Sequence, residues 1–310
     1  MSEAKFSFSW TQPKSAPPLP PRISVVRRYM ASIDAKRDAG LVPPEDVVSY
    51  DDLQYGDDPV WNLLDIYRPK GADGPLPVIV SVHGGAYMYG TKASYRLYCM
   101  DLARRGFAVV NFNYHLAPEM HYPTQLRETN LVLCWLVNHT EEYGLDMDQV
   151  FLVGDSAGAQ MASQYAAICS NLIYASLMDI TPPIFTLRAL GLNCGMYDLA
   201  AEVAGKVKGI YRDYFAGDVG QYGEQLHVMD YIDASYPPTY LVSCPNDFLV
   251  HHLMPMAAHL TRQGVENRWK LYGTADQKEL QHVFHLNLRL PEAKQANDDE
   301  IAFFREHLPA

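Results

Sequence analysis

No run in this chain approaches the ~20 consecutive apolar residues that a membrane-spanning helix needs, although 48% of its 310 residues are hydrophobic. Basic runs are missing too. The 25 Lys and Arg are scattered among 36 Asp and Glu, and the formal net charge is −11. A chain so charged has no electrostatic footprint for nucleic acid or an anionic membrane, and an anionic polymer would be a poor substrate. Cysteine is scarce and odd in number: Cys99, Cys134, Cys169, Cys194 and Cys244. None forms a CxxC pair and each sits in an apolar stretch, so buried reduced thiols are expected, not a disulfide framework or a metal centre. The first twenty residues contain Glu3, Lys5 and Lys14 and break into prolines before any apolar leader core could form. A cytoplasmic protein is therefore expected. No internal repeat is present.

What remains is enough apolar material for one large α/β domain with insertions. Five prolines between residues 13 and 21 make an extended arm, and Ile23, Val26, Tyr29 and Met30 could share one helix face before Pro43 and Pro44 end the segment. From about residue 46, short β-rich runs alternate with helical patterns. Val47–Tyr50 and Leu63–Tyr67 read as antiparallel edge strands, and Pro77–Val82 reads as a strand buried on both faces. Further strands are expected at 107–112, 150–153, 188–192, 239–242 and 268–272. Helices are expected at about 95–105, 124–143 and 157–178. Eight strands alternating with helices imply a mostly parallel sheet with helices on both faces. Between Cys194 and Tyr236 about forty residues rich in Tyr, Gly and Asp exceed the ~2–6 residues of an ordinary α/β connection. They read as an inserted, partly helical cap. The expected organisation is an N-terminal arm over 1–45, then one α/β domain over 46–310 with the cap insertion at about 195–235.

The strongest local signal is Gly154-Asp155-Ser156-Ala157-Gly158, directly after one predicted strand and directly before a helix. A nucleophilic serine needs a strained strand-to-helix turn, and small residues two places either side let neighbouring backbone pass. Average residue usage predicts roughly 0.1 chance matches in a chain of this length, so the strand–turn–helix context is what gives the motif weight. The second signal, His83-Gly84-Gly85-Ala86, follows the buried strand. Acyl transfer needs preorganised N–H groups facing a developing oxyanion, and the expected donors are Gly84, Gly85 and Ala157. His83 is expected to shape that loop.

A serine hydroxyl needs a base, and the base needs an orienting acid, in the chain order Ser, acid, His. Asp247 lies just past the carboxyl end of the strand 239–242, where open α/β sheets carry functional groups. Asp198, Asp230 and Asp233 compete with it. His282 and His285 both qualify as base by order, and His282, first after the last loop, is preferred. His251 and His252 lie too near the acid, and as adjacent helical residues they are expected to point apart and make a poor metal pair. His307 falls in the terminal helix.

Together these residues resemble the hormone-sensitive-lipase-like family of α/β-hydrolases, the bacterial esterase/lipase branch. The matching motifs are His83-Gly84-Gly85, Tyr114-His115-Leu116-Ala117-Pro118-Glu119, Gly154 to Gly158, Asp247 and His282-Val283-Phe284, over roughly residues 46–290. The resemblance implies an α/β-hydrolase fold with a triad of Ser156, Asp247 and His282 and a cap built from the arm and the 195–235 insertion. It also implies hydrolysis of small carboxylic esters without metal or organic cofactor, and it allows a homodimer. Ala86 stands where the family often has a third glycine and still offers an N–H. His115 stands where the family often has arginine, and it and Glu119 read as structural. Amide cleavage of the arylformamidase or peptidase type would use the same triad. A non-catalytic binding protein on this fold would usually have lost one of its members.

Overall fold

In the computed structural model, described over residues 19–204 and 209–309, one eight-stranded sheet organises the chain. Its strands are β1 (Val47–Gln54), β2 (Leu63–Pro69), β3 (Leu76–Val82), β4 (Ala108–Phe112), β5 (Leu145–Asp155), β6 (Leu187–Asn193), β7 (Thr239–Ser243) and β8 (Asn267–Leu271). Their spatial order is β1-β2-β4-β3-β5-β6-β7-β8. The pairs β1/β2 and β2/β4 are antiparallel and every later pair is parallel.

The helices are α1 (Pro21–Asp38), α2 (Lys92–Ala103), α3 (Thr124–Asn138), α4 (Thr140–Tyr143), α5 (Ala157–Ser170), α6 (Leu172–Met178), α7 (Leu199–Glu202), α8 (Gly209–Tyr214), α9 (Leu253–Arg262) and α10 (Pro291–Glu306). The twofold side-chain alternation of the strands divides the core into two layers. Val78, Val80 and Val82 of β3 pack with Leu126, Leu133 and Leu136 of α3 and with the alanine-rich α5. Ile79, from the same strand, joins the opposite layer with Leu102 of α2 and Phe303 and Phe304 of α10. Both faces of the central strands are therefore covered, which is why their sequences run nearly continuously apolar.

Three helical expectations change in detail. The expected 157–178 helix breaks at Asn171, whose side-chain oxygen accepts from the N–H groups of Ile173 and Tyr174 and so caps α6. The expected 124–143 helix breaks at His139 into α3 and α4. In α1 the buried face is Ile23 and Arg27, while Val26 and Tyr29 are exposed. The Arg27 guanidinium dictates that orientation. It donates to both carboxylate oxygens of Glu119 (2.6 and 2.8 Å) and to the carbonyls of Met88 (2.7 Å) and Ala117 (3.1 Å). A buried charge with that many partners outweighs the apolar stripe. Residues 1–18 of the expected arm lie outside the described residues.

Over the 195–235 stretch, apart from 205–208, α7 and α8 are followed by 3-10 turns at Gly220–Leu226 and Val228–Tyr231. Its aromatics interlock with the domain beneath. Tyr214 stacks on Tyr87 with ring centroids 3.9 Å apart, and Tyr122 meets Tyr214, Phe215 and Tyr222. Arg22 of α1 forms a two-pronged ion pair with Asp213 of α8, tying the first helix to this layer.

Candidate active site

Ser156 sits between the end of β5 and the first turn of α5, with φ 54° and ψ −118°. A non-glycine residue held there stores roughly 1–3 kcal/mol of strain, so the surroundings must enforce it. They do so by close approach. A Cβ on Gly154 would run into the carbonyl of Gly158, and one on Gly158 into the carbonyl of Val82. The backbone N–H of Ser156 donates to the carbonyl of Asn193 (2.9 Å), which locks the turn to β6.

The three residues expected to act together do meet. His282 Nε2 lies 2.9 Å from Ser156 Oγ, and His282 Nδ1 lies 2.7 Å from Asp247 Oδ1. With the carboxylate accepting from Nδ1–H, Nε2 is left as the acceptor facing the serine hydroxyl. Asp247 is buried and further held by the Ser243 hydroxyl (2.7 Å) and the Leu249 N–H (2.9 Å). Burial pushes its carboxyl up, but the hydrogen bond and charge of His282, with the Leu249 and Ser243 donors, bring it below the ordinary value. The buried thiol of Cys194 also stands beside Asp247 and His282.

The competing residues are engaged elsewhere. Asp198 caps α7 through the Ala201 N–H (3.0 Å), and Asp233 accepts from Ser235 (2.8 Å). The His285 ring is buried edge-on to Tyr98, and neither ring nitrogen has a hydrogen-bond partner. Burial first, then the charge of His282, drives its pKa down to about 3. It is a neutral packing group.

The loop after β3 differs from expectation at one position. The Gly84 N–H donates to the Tyr95 hydroxyl (2.9 Å), and that hydroxyl donates to Asp155 Oδ2 (2.8 Å). Gly84 is therefore a bracing contact in this structure and its amide is not free for an oxyanion. Its missing side chain has another use, since a Cβ there would strike the Asp155 carboxylate. Gly85 (φ 120°) and Ala86 (φ 53°) then turn the chain, and neither of their amides donates to backbone among the described residues. Ala157 opens α5, so its N–H has no intrahelical acceptor. The donors open to an oxyanion are thus Gly85, Ala86 and Ala157.

His83 is fully buried, stacks on Tyr114 at 4.0 Å and lies 2.8 Å from the Gly84 carbonyl through Nδ1. Burial lowers its pKa to about 4. His115 contacts Glu128 (2.5 Å) and Asp58 (3.3 Å), remote from the serine relay in the hydrogen-bond network. Sequence reasoning did not anticipate Asp155 and Tyr95 as the brace between the two glycine turns, nor Ser243 behind Asp247. It also missed a buried ladder along α5, where Tyr87 donates to Gln160 (3.1 Å) and Gln160 to Gln164 (2.8 Å). Gln164 then reaches Tyr122 (2.8 Å) and Tyr174 (2.7 Å). The available signal was two glutamines four apart on a helix built otherwise of small and apolar residues with one tyrosine.

Comparison with known proteins agrees with this architecture. The BD-FAE family model matches residues 64–185. A probable isoprenylcysteine alpha-carbonyl methylesterase of Arabidopsis thaliana is 38% identical over 111 residues, 36% of this chain and 23% of that protein. Versiconal hemiacetal acetate esterase of Dothistroma septosporum is 25% identical over 74% of this chain and 73% of its own length. Among solved structures, Esterase B from Lactobacillus rhamnosis, inhibited by a C6-C4 compound, superposes with a TM-score of 0.84 at 26% identity, covering 92% of this chain and 95% of that one. Each of these three is named an esterase. The sheet order, the serine turn and these matches give the chain an α/β-hydrolase fold, and its residues 64–185 are similar to the BD-FAE family.

Proposed function

We propose that the chain is a serine carboxylesterase acting on small esters with short acyl groups, acetyl or aryl esters among them. The observation that carries the reading is the continuous relay Ser156–His282–Asp247, with contacts of 2.9 and 2.7 Å. Ser156 Oγ attacks the ester carbonyl while its proton passes to His282 Nε2, and Asp247 stabilises the resulting imidazolium. The amides of Gly85, Ala86 and Ala157 hold the oxyanion. Collapse expels the alcohol oxygen, which takes the proton from His282. Water then gives His282 a proton as it attacks the acyl-enzyme, and the acid leaves as Ser156 regains its hydrogen.

The short-acyl preference draws on the close aromatic packing of Tyr87, Tyr122, Tyr214 and Phe215. It also draws on the relative named for a hemiacetal acetate and on the Esterase B complex named for a tributyrin phosphonate. We read α1 and the 195–235 stretch as the cap. The five unpaired cysteines suit a reducing, cytoplasmic setting, and no helix among the described residues is long and apolar enough to cross a membrane.

The test is a rate series on p-nitrophenyl esters from acetate to laurate with wild type and Ser156→Ala. Wild type should favour the shortest esters and Ser156→Ala should lose turnover. An undiminished rate in that variant removes the nucleophile assignment, and a preference for laurate removes the short-acyl reading.

A further inference from the structure

Beside the serine relay, where the 195–235 layer meets the loop carrying Asp247, three ligand-type side chains converge. Glu202 ends α7, and His251 and His252 lie in the 3-10 turn Val250–His252. One donor atom from each lies within 4.8 Å of the other two. Glu202 Oε1 is 3.4 Å from His252 Nε2, and the two imidazole rings stand 4.0 Å apart at 40°. The expectation that adjacent histidines point apart does not hold. Two side-chain torsions place each imidazole nitrogen, so neighbouring positions can still bring their rings together.

We propose that Glu202, His251 and His252 bind one divalent transition-metal ion of the zinc class, pinning α7 to the loop that carries Asp247. Two imidazoles and a carboxylate with a position left open are a donor set suited to such an ion. Tetrahedral bonds of about 2.0–2.1 Å require donor atoms about 3.3–3.4 Å apart, a spacing that Glu202 and His252 already have. His251 is exposed and can close the remaining distance by a torsional adjustment. The buried His252 Nε2 makes no hydrogen bond. Asp198 and Asp247 add negative charge nearby, favouring a dication. The site is separate from the esterase reading and its test does not need turnover.

The experiment titrates Co2+ into the metal-stripped full chain, following ligand-field absorption, with Zn2+ competition by calorimetry. One equivalent should bind, and Zn2+ should displace it. Glu202→Gln and His251→Ala, both at exposed positions, should each weaken binding at least about tenfold, the loss that removal of even an outer partner causes. His282→Ala, which dismantles the other nearby ligand group of Cys194, Asp247 and His282, should bind as wild type does. No saturable binding would overturn the proposal. So would binding that survives Glu202→Gln and His251→Ala but disappears in His282→Ala, because the ion would then belong to the serine relay.

Discussion

Replacing Tyr95 with Phe removes one oxygen from the brace between the two glycine turns while keeping the ring. That oxygen accepts from the Gly84 N–H at 2.9 Å and donates to Asp155 Oδ2 at 2.8 Å, and all three residues are buried. Tyr95→Phe leaves one buried donor and one buried acceptor without partners. Each such loss costs about 1–3 kcal/mol, and partial relaxation sets the expected destabilisation at about 2–4 kcal/mol, a fall of roughly 3–6 °C in Tm for a chain of this length. The penalty should depend on pH. Burial raises the Asp155 pKa to about 6, and the Tyr95 hydrogen bond holds it from rising further. A raised folded-state pKa gives stability that is present at low pH and lost as pH rises through that value. Without the hydroxyl the value climbs again, so Tyr95→Phe should lose more stability well above pH 6 than well below it. The loop also aims the Gly85 and Ala86 amides, and their misalignment should lower kcat about tenfold, worth about 1.4 kcal/mol of transition-state stabilisation, with KM little changed. Thermal melts across pH and p-nitrophenyl acetate kinetics read both effects. A variant matching wild type in Tm at every pH and in kcat would refute the bracing role.

Arg27→Met should cost about 3–5 kcal/mol, because it strands the buried carboxylate of Glu119. The double variant Arg27→Met/Glu119→Leu should be more stable than Arg27→Met alone, and additive losses in denaturant melts would contradict that. At His115, burial lowers the pKa, but the hydrogen bond and charge of Glu128, with those of Asp58, raise it above the ordinary 6.5. That stabilisation is full below 6.5 and is lost as pH rises through the raised value. Wild type should therefore lose its advantage over His115→Gln on going alkaline, and a pH-independent difference in denaturant midpoint would remove the charged pairing.

The central strands β3, β4, β6 and β7 were readable because each is short, bounded and apolar on both faces, and a sheet covered on both sides there demands that pattern. The order Ser156, Asp247, His282 was readable for a similar reason, since each follows a strand whose carboxyl end faces the site. What escaped was set by side-chain contacts that the local sequence pattern does not show. The buried face of α1 follows Arg27, whose partner Glu119 lies 92 positions away. Gly84 was expected as an oxyanion donor because nothing local reveals that Tyr95, on the following helix, takes its N–H. His251 and His252 were expected to diverge on backbone geometry alone, whereas side-chain torsions bring them together opposite Glu202.

The central claim is that Ser156 forms the covalent acyl intermediate, activated by His282. It is tested most directly by treating the protein with a diethyl p-nitrophenyl phosphate probe and mapping the adduct by peptide mass spectrometry. The account predicts one diethylphosphoryl group per chain, on Ser156, formed in step with loss of esterase activity and greatly slowed in His282→Ala. Full inactivation with the label on another residue, or equal labelling of Ser156 in His282→Ala, would contradict it.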